Sequence, residues 1–233
     1  MRYTIFLLSI ISLFFFNSCS KYDDLDKLLD SPSTKMAALA VFNTVPNSLD
    51  MEVFIDDRKV KAANESLHFG DYLPYKSIFS GKAKIKIVSS YKNGKDTYDG
   101  TVDLAAGRVY SLFVNKAEKL TVKLVEDDVI RPRRGFAKIR IAHMSPDAAS
   151  LSLNENEGRR LFQNIKYKDV TSFVEIKSSS NVSLQVQPIG ASKMPQLDQN
   201  FQPVDQGIYT LLVTGYVDSD NQGEEIGMQL IKH

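Results

Sequence analysis

Apolar and polar positions fall into three regimes along the chain. Residues 3–16, "YTIFLLSIISLFFF", form one almost purely apolar run behind a lone Arg2. The run has the length of the apolar region of a secretory signal and is too short to cross a bilayer of roughly 30 Å comfortably. Residues 20–35, "SKYDDLDKLLDSPSTK", are polar at both ends and finish in a Ser-Pro-Ser-Thr cluster typical of loops. From Met36 onward the period changes to two. "AKIKIVS" (83–89), "VYSLFV" (109–114), "LTVKLV" (120–125), "AKIRIA" (137–142) and "VSLQVQ" (182–187) alternate apolar with polar. Such alternation puts apolar side chains on one face of a strand and polar ones on the other. Turn residues punctuate the runs: Pro46-Asn47, Asn93-Gly94, Ala106-Gly107, Pro146-Asp147 and Gln206-Gly207. Many short strands separated by turns predict antiparallel β-sandwiches.

The chain also repeats. Displaced by 100 positions, "LAVFNTVPNSLDMEV" lies over "IRIAHMSPDAASLSL" without a gap, so Pro46 meets Pro146 and Asn47 meets Asp147. The same displacement sets Gly107 on Gly207, and one deleted residue then pairs Tyr110 with Tyr209. Two ends of a unit agreeing in this way predict a tandem pair. The division that follows is a signal peptide at 1–18, a tether at 19–35, a first sandwich at 36–126, a linker at 127–135 and a second sandwich at 136–233. The linker carries charge, Pro132 and an Arg133-Arg134 pair open to trypsin-like cleavage.

The second unit carries "AKIRIAHMSPDAASLSL". This resembles the opening of domain-of-unknown-function family 4397, a bacterial repeat reading V-R-x-x-H-x-S-P-D-A-P-x-V-D-V. Ile139, Arg140, His143, Ser145, Pro146, Asp147 and Ala148 match, whereas Ala149 stands for the usual Pro and Ser152 for the usual Asp. The resemblance covers about residues 36–233, strongly in unit two and faintly in unit one. It implies tandem immunoglobulin-like sandwiches behind a signal peptide or lipid anchor, and brings no activity with it.

Composition narrows the class. Of 233 residues, 43% are hydrophobic and 24% charged, an ordinary globular balance. The formal net charge of +1 lacks the basic excess of nucleic-acid binders. Cys19 is the single cysteine, so the cores hold without an intramolecular disulfide. "F-N-S-C" resembles a bacterial lipobox, with Phe16 and Asn17 in place of the usual Leu and small residue; the resemblance implies that Cys19 becomes the acylated first residue of the mature chain. Acyl chains would hold the protein on a membrane. Lys21, Asp23 and Asp24 resemble an export signal, which implies the outer membrane of a Gram-negative bacterium with the protein facing the cell surface.

Four groups of residues could carry chemistry. His143, Ser145 and Asp147 lie too close in sequence to converge as a relay, and unit one keeps the turn with Asn43, Val45, Pro46 and Asn47. A turn closed by an Asx side chain is the expectation for Pro46-Asn47 and Pro146-Asp147. Residues 205–211, "DQGIYTL", resemble a tyrosine corner, in which a Tyr hydroxyl bonds back to the main chain, with Gly207 and Tyr209 here and Gly107 and Tyr110 in unit one. Asp218 and Asp220 open a stretch similar to a calcium loop, but Gln222 and Gln229 stand where ligands are needed, and a polar hairpin is the stronger reading. Tyr72, Tyr75, Tyr91, Tyr98 and Tyr167 could form a sugar-stacking platform; the absence of Trp weighs against it. Nothing implies a cofactor or an enzyme. The expectation is a non-enzymatic lipid-anchored envelope module that binds another envelope protein or a glycan. The alternatives are a glycan-binding accessory of nutrient uptake and a fimbrial or adhesin subunit that exchanges strands.

Overall fold

The computed structural model describes residues 35–178, 180–190, 193–219 and 223–233; Cys19, Lys21, Asp23, Asp24 and Asp220 lie outside these. Among the described residues, sixteen strands form four sheets of four, two per repeat. The first repeat contains β1 (Met36–Asn43), β2 (Asp50–Ile55), β3 (Arg58–Lys59), β4 (Tyr72–Phe79), β5 (Gly81–Tyr91), β6 (Gly94–Leu104), β7 (Val109–Lys116) and β8 (Leu120–Glu126). The second contains β9 (Phe136–His143), β10 (Leu151–Glu155), β11 (Arg159–Ile165), β12 (Val174–Lys177), β13 (Val182–Pro188), β14 (Leu197–Phe201), β15 (Ile208–Thr214) and β16 (Gly227–Lys232). One sheet of each sandwich runs β4-β1-β7-β8 or β12-β9-β15-β16; the other runs β3-β2-β5-β6 or β11-β10-β13-β14.

The two-sheet sandwich is the expected one, but the strand order is not that of an immunoglobulin constant domain, whose first and second strands share a sheet. Here β1 and β2 fall on opposite sheets, because the turn after β1 carries the chain across the sandwich. The pairing is not wholly antiparallel either. β1 runs parallel to β7 and β9 parallel to β15, in registers that correspond: Ala38 opposite Val109, and Lys138 opposite Ile208.

Each sandwich has its own core. In the first, Leu39, Val41, Met51, Val53, Ile85, Ile87 and Leu112 fill the space between sheets; in the second, Ile139, Ile141, Leu151, Leu153, Leu184, Val186 and Leu211 do. A third apolar cluster joins the two. Ala40, Phe42 and Phe113 from one sandwich pack with Ala142, Met144, Leu212 and Ile231 from the other. Apart from Met144, just after β9, and Ile231 on β16, these come from the faces of β1, β7, β9 and β15 that point away from their own cores. Lone sandwiches would leave those faces in water. Burial along β7 and β9 is therefore almost unbroken instead of alternating.

Candidate functional site

The interface between the sandwiches holds the molecule's most concentrated polar chemistry. Arg140 lies on the outward face of β9, opposite Thr210 on β15. Its side chain is 1% exposed and contacts the 0% exposed Asp127 carboxylate at 2.7 Å. Asp127 follows β8, in the stretch expected to be a linker. Its amide donates to the Val109 carbonyl, and this holds the carboxylate beneath the first sandwich. A buried ion pair persists only when its remaining donors and acceptors are satisfied. Asp127 Oδ2 accepts from Ser111 Oγ at 2.6 Å and from Tyr75 Oη at 2.7 Å. Arg140 Nε donates to Thr210 Oγ1 at 2.9 Å and Nη2 to Ser111 Oγ at 3.1 Å.

His233 closes the circuit. Its Nδ1 lies 2.7 Å from Tyr75 Oη and its Nε2 lies 2.7 Å from Thr210 Oγ1. Tyr75 spends its proton on Asp127 and Thr210 accepts from Arg140, so one tautomer fits both contacts of the ring: Nδ1–H donates to Tyr75 and Nε2 accepts from Thr210. That imidazole is neutral. Burial, then the Arg140 charge, pull its pKa down to about 4. Burial, then the Asp127 charge, push the Tyr75 phenol far above its ordinary value. Phe173 lies beneath Arg140 with the guanidinium carbon 4.6 Å from its ring centre, and His233 meets its edge. A second bridge runs beside this one, Lys138 to Asp128 at 2.7 Å.

Sequence reasoning missed this cluster because alternation sends Lys138 and Arg140 toward solvent. One signal was present: the equivalent residues of unit one are Ala38 and Ala40, small enough for a partner to approach.

The expected turn residues are placed as follows. Tyr209 Oη accepts from the Val204 amide at 2.9 Å, and Tyr110 Oη from the Ala105 amide at 3.1 Å, each five residues back. Gly107 and Gly207 are not equivalent, however. Gly107, with φ of +72°, matches Gln206, with φ of +59°; their amides donate to Met36 and Phe136 respectively. Gly207 serves a different need, since a Cβ there would come within 2.6 Å of the Tyr209 ring. The deleted residue thus falls before the glycine, not after it.

The turn after β1, and its counterpart after β9, is clasped by the last residue of the strand and not by the Pro-Asx pair that follows. Asn43 Oδ1 accepts from the Val45 amide at 3.0 Å while its Nδ2 donates to the Leu67 carbonyl at 2.8 Å. His143 repeats this with a ring: Nδ1 faces the Ser145 amide at 3.4 Å and Nε2 the Ala149 carbonyl at 3.2 Å. Burial keeps this imidazole below its ordinary pKa. Asp147 does not close a local Asx turn. Its carboxylate reaches the loop after β15, where it accepts from the amides of Val217, at 3.0 Å, and Asp218, at 3.1 Å. Asn47 takes a left-handed conformation with φ of +67°. Asp218 approaches Lys193 at 3.4 Å, and no group of three or more His, Cys, Asp or Glu able to hold a metal occurs among the described residues. The tyrosines do not assemble into a platform. Tyr75 is in the interface cluster, Tyr91 lies under Lys116, Tyr98 packs on the first core, Tyr167 meets His143 and Tyr72 stacks on Phe42.

The interface opens to solvent at both ends. Where β1, β7, β9 and β15 begin, a cleft of about 520 Å³ is lined by residues including Ala38, Tyr75, Val129, Arg131, Val204 and Lys232. Where β1 ends, a second cleft of about 560 Å³ is lined by Asn47, Ser48, Leu49, His68, Phe69, Lys92, Gly223 and Glu224.

The model of the family described as domain of unknown function DUF4397 matches residues 37–154. This is just over half of the chain. The chain belongs to that family. The matched DUF4397 segment runs from the second residue of β1 through the rest of the first sandwich and ends within β10, so it spans nearly all of unit one and only the start of unit two. No curated protein matches the chain. A solved structure described as "Alpha-glucan binding by a streptococcal virulence factor" aligns at 12% identity over 79% of this chain and 95% of that one, with a TM-score of 0.25.

Proposed function

We propose that this DUF4397 protein is a non-enzymatic, lipid-anchored envelope component of a Gram-negative bacterium, in which two sandwiches act as one stiff body and present the cleft at the end of β1 to another envelope protein. The observation that carries this reading is the use of the reactive side chains. His143, Ser145 and Asp147 hold turns, and Arg140, Asp127, Tyr75 and His233 hold the domains to each other. What remains for a partner is a shaped, loop-built end fixed relative to the point where the chain enters. Strand exchange is disfavoured, since β1 and β9 are each held on both sides and leave a donor strand no vacant seat.

Two measurements on intact cells test it. Cys19→Ala is expected to abolish acyl labelling and release the protein from membranes; normal labelling refutes the anchor. A photo-crosslinking residue at Leu49 is expected to trap a protein partner, whereas one at Thr101, on the edge strand β6, is not. Equal, diffuse adducts from both positions overturn the assignment of the presenting end.

A further inference from the structure

The opposite end of the molecule has a different character. Of the large apolar side chains that the described residues expose, four gather where the chain enters β1: Ile130 at 78%, Phe79 at 61%, Val204 at 52% and Val129 at 38%. Val129 and Val204 both line the cleft of about 520 Å³, and Ile130 lines an adjoining hollow that shares Val129. Phe79 adjoins the chain entry, pairing with Met36 on the neighbouring strand. Of the anions of this rim, Asp205 accepts from the Gly135 amide and Ser178, while Asp128 and Glu126 are ion-paired, with Lys138 and Arg108. Three cations on it are not. Arg131, Arg134 and Lys232 are exposed and make no ion pair among the described residues.

Exposed apolar side chains interspersed with unpaired cations describe a surface that lies on anionic lipid. Apolar tips enter the boundary between headgroups and acyl chains, and each Lys or Arg near the surface is attracted to it. The position agrees with this. The chain passes from the 3–16 apolar run and Cys19 into the fold at Lys35, at this same end. We propose that the 129–134 loop, with Val204 and Lys232, is a membrane-facing surface that seats the paired sandwiches on anionic phospholipid headgroups and turns the Leu49 end away from the bilayer. This orientation rests on the anchoring reading; the lipid contact itself does not.

The test uses residues 35–233, which contain all sixteen strands and all three apolar clusters and lack Cys19. Sedimentation with mixed phosphatidylglycerol–phosphatidylcholine vesicles is expected to show binding that weakens with salt. Pure phosphatidylcholine is expected to bind far less. Arg131→Gln with Arg134→Gln is expected to reduce binding by roughly tenfold or more, at about 1 kcal/mol per cation. Ile130→Ser is expected to reduce it as well, and Lys92→Gln, at the far end, to leave it unchanged. All variants should melt as the parent does. Equal binding to both vesicle types, or unchanged binding by the double variant, overturns the proposal. Capture of polyglutamate without vesicle binding overturns it in favour of an acidic protein partner. Because this chain has no Cys19, a failure here is distinguishable from a failure of the anchor, which acyl labelling reads separately.

Discussion

His233 shows how much one residue can depend on its protonation state. It accepts from Thr210 and donates to Tyr75, an arrangement open only to the neutral ring. In the unfolded chain a histidine titrates near 6.5, while in the fold this one titrates near 4. A base whose folded pKa is depressed stabilises fully above its unfolded pKa, and that contribution is lost as pH falls from about 6.5 toward 4. His143 shifts in the same direction through burial. Asp128, held below the ordinary carboxylate range by the Lys138 hydrogen bond, adds its loss only at lower pH. Urea midpoints measured between pH 7 and 4 are therefore expected to fall, with His233 contributing roughly 2–3 kcal/mol. His233→Gln, which keeps a donor and an acceptor, is expected to flatten most of that slope. A slope identical to that of the parent would show that His233 does not titrate within the interface.

At the scale of elements, the strands were legible and their partners less so. Period-two alternation located β5, β7, β8, β9 and β13, and the repeat placed Pro46 over Pro146. Alternation reports which residues face a strand's own core. It is silent on what covers the other face, so Lys138 and Arg140 read as solvated and "VEDDVIRPRRG" read as a linker. In the fold, Asp127 and Asp128 of that stretch are the anions that meet them. The tyrosine corners were legible because a Tyr shortly after a turn glycine marks each of them, and in both the hydroxyl bonds the amide five residues back. The Asn43 and His143 clasps were not, since an amide and an imidazole look unrelated until both are seen to bind the amide two residues on. If β7 is buried on both faces, truncation on its outward face should cost as much as truncation in a core. Phe113→Ala is expected to lower stability by about 3–5 kcal/mol in denaturant unfolding. A loss below about 1 kcal/mol, usual for surface positions, would mean the second sandwich does not cover Phe113.

At the scale of the whole molecule, the described residues form two copies of one sandwich joined back to back. The join has an apolar part, Phe42, Phe113, Ala142 and Leu212, and a polar part, the Arg140–Asp127 pair with its ring of hydroxyls and His233. The apolar part favours association without fixing direction. The polar part tolerates only one arrangement, because sliding the sheets would strand a buried guanidinium and carboxylate at a cost of several kcal/mol. Both turns after the first strand then lie at one end and the chain entry at the other, which gives the molecule a near and a far end. The most direct test of this central claim is calorimetric unfolding of residues 35–233 at pH 7. One transition is predicted, with calorimetric and van't Hoff enthalpies equal. Two separate transitions, each with the enthalpy of a single sandwich, would contradict it.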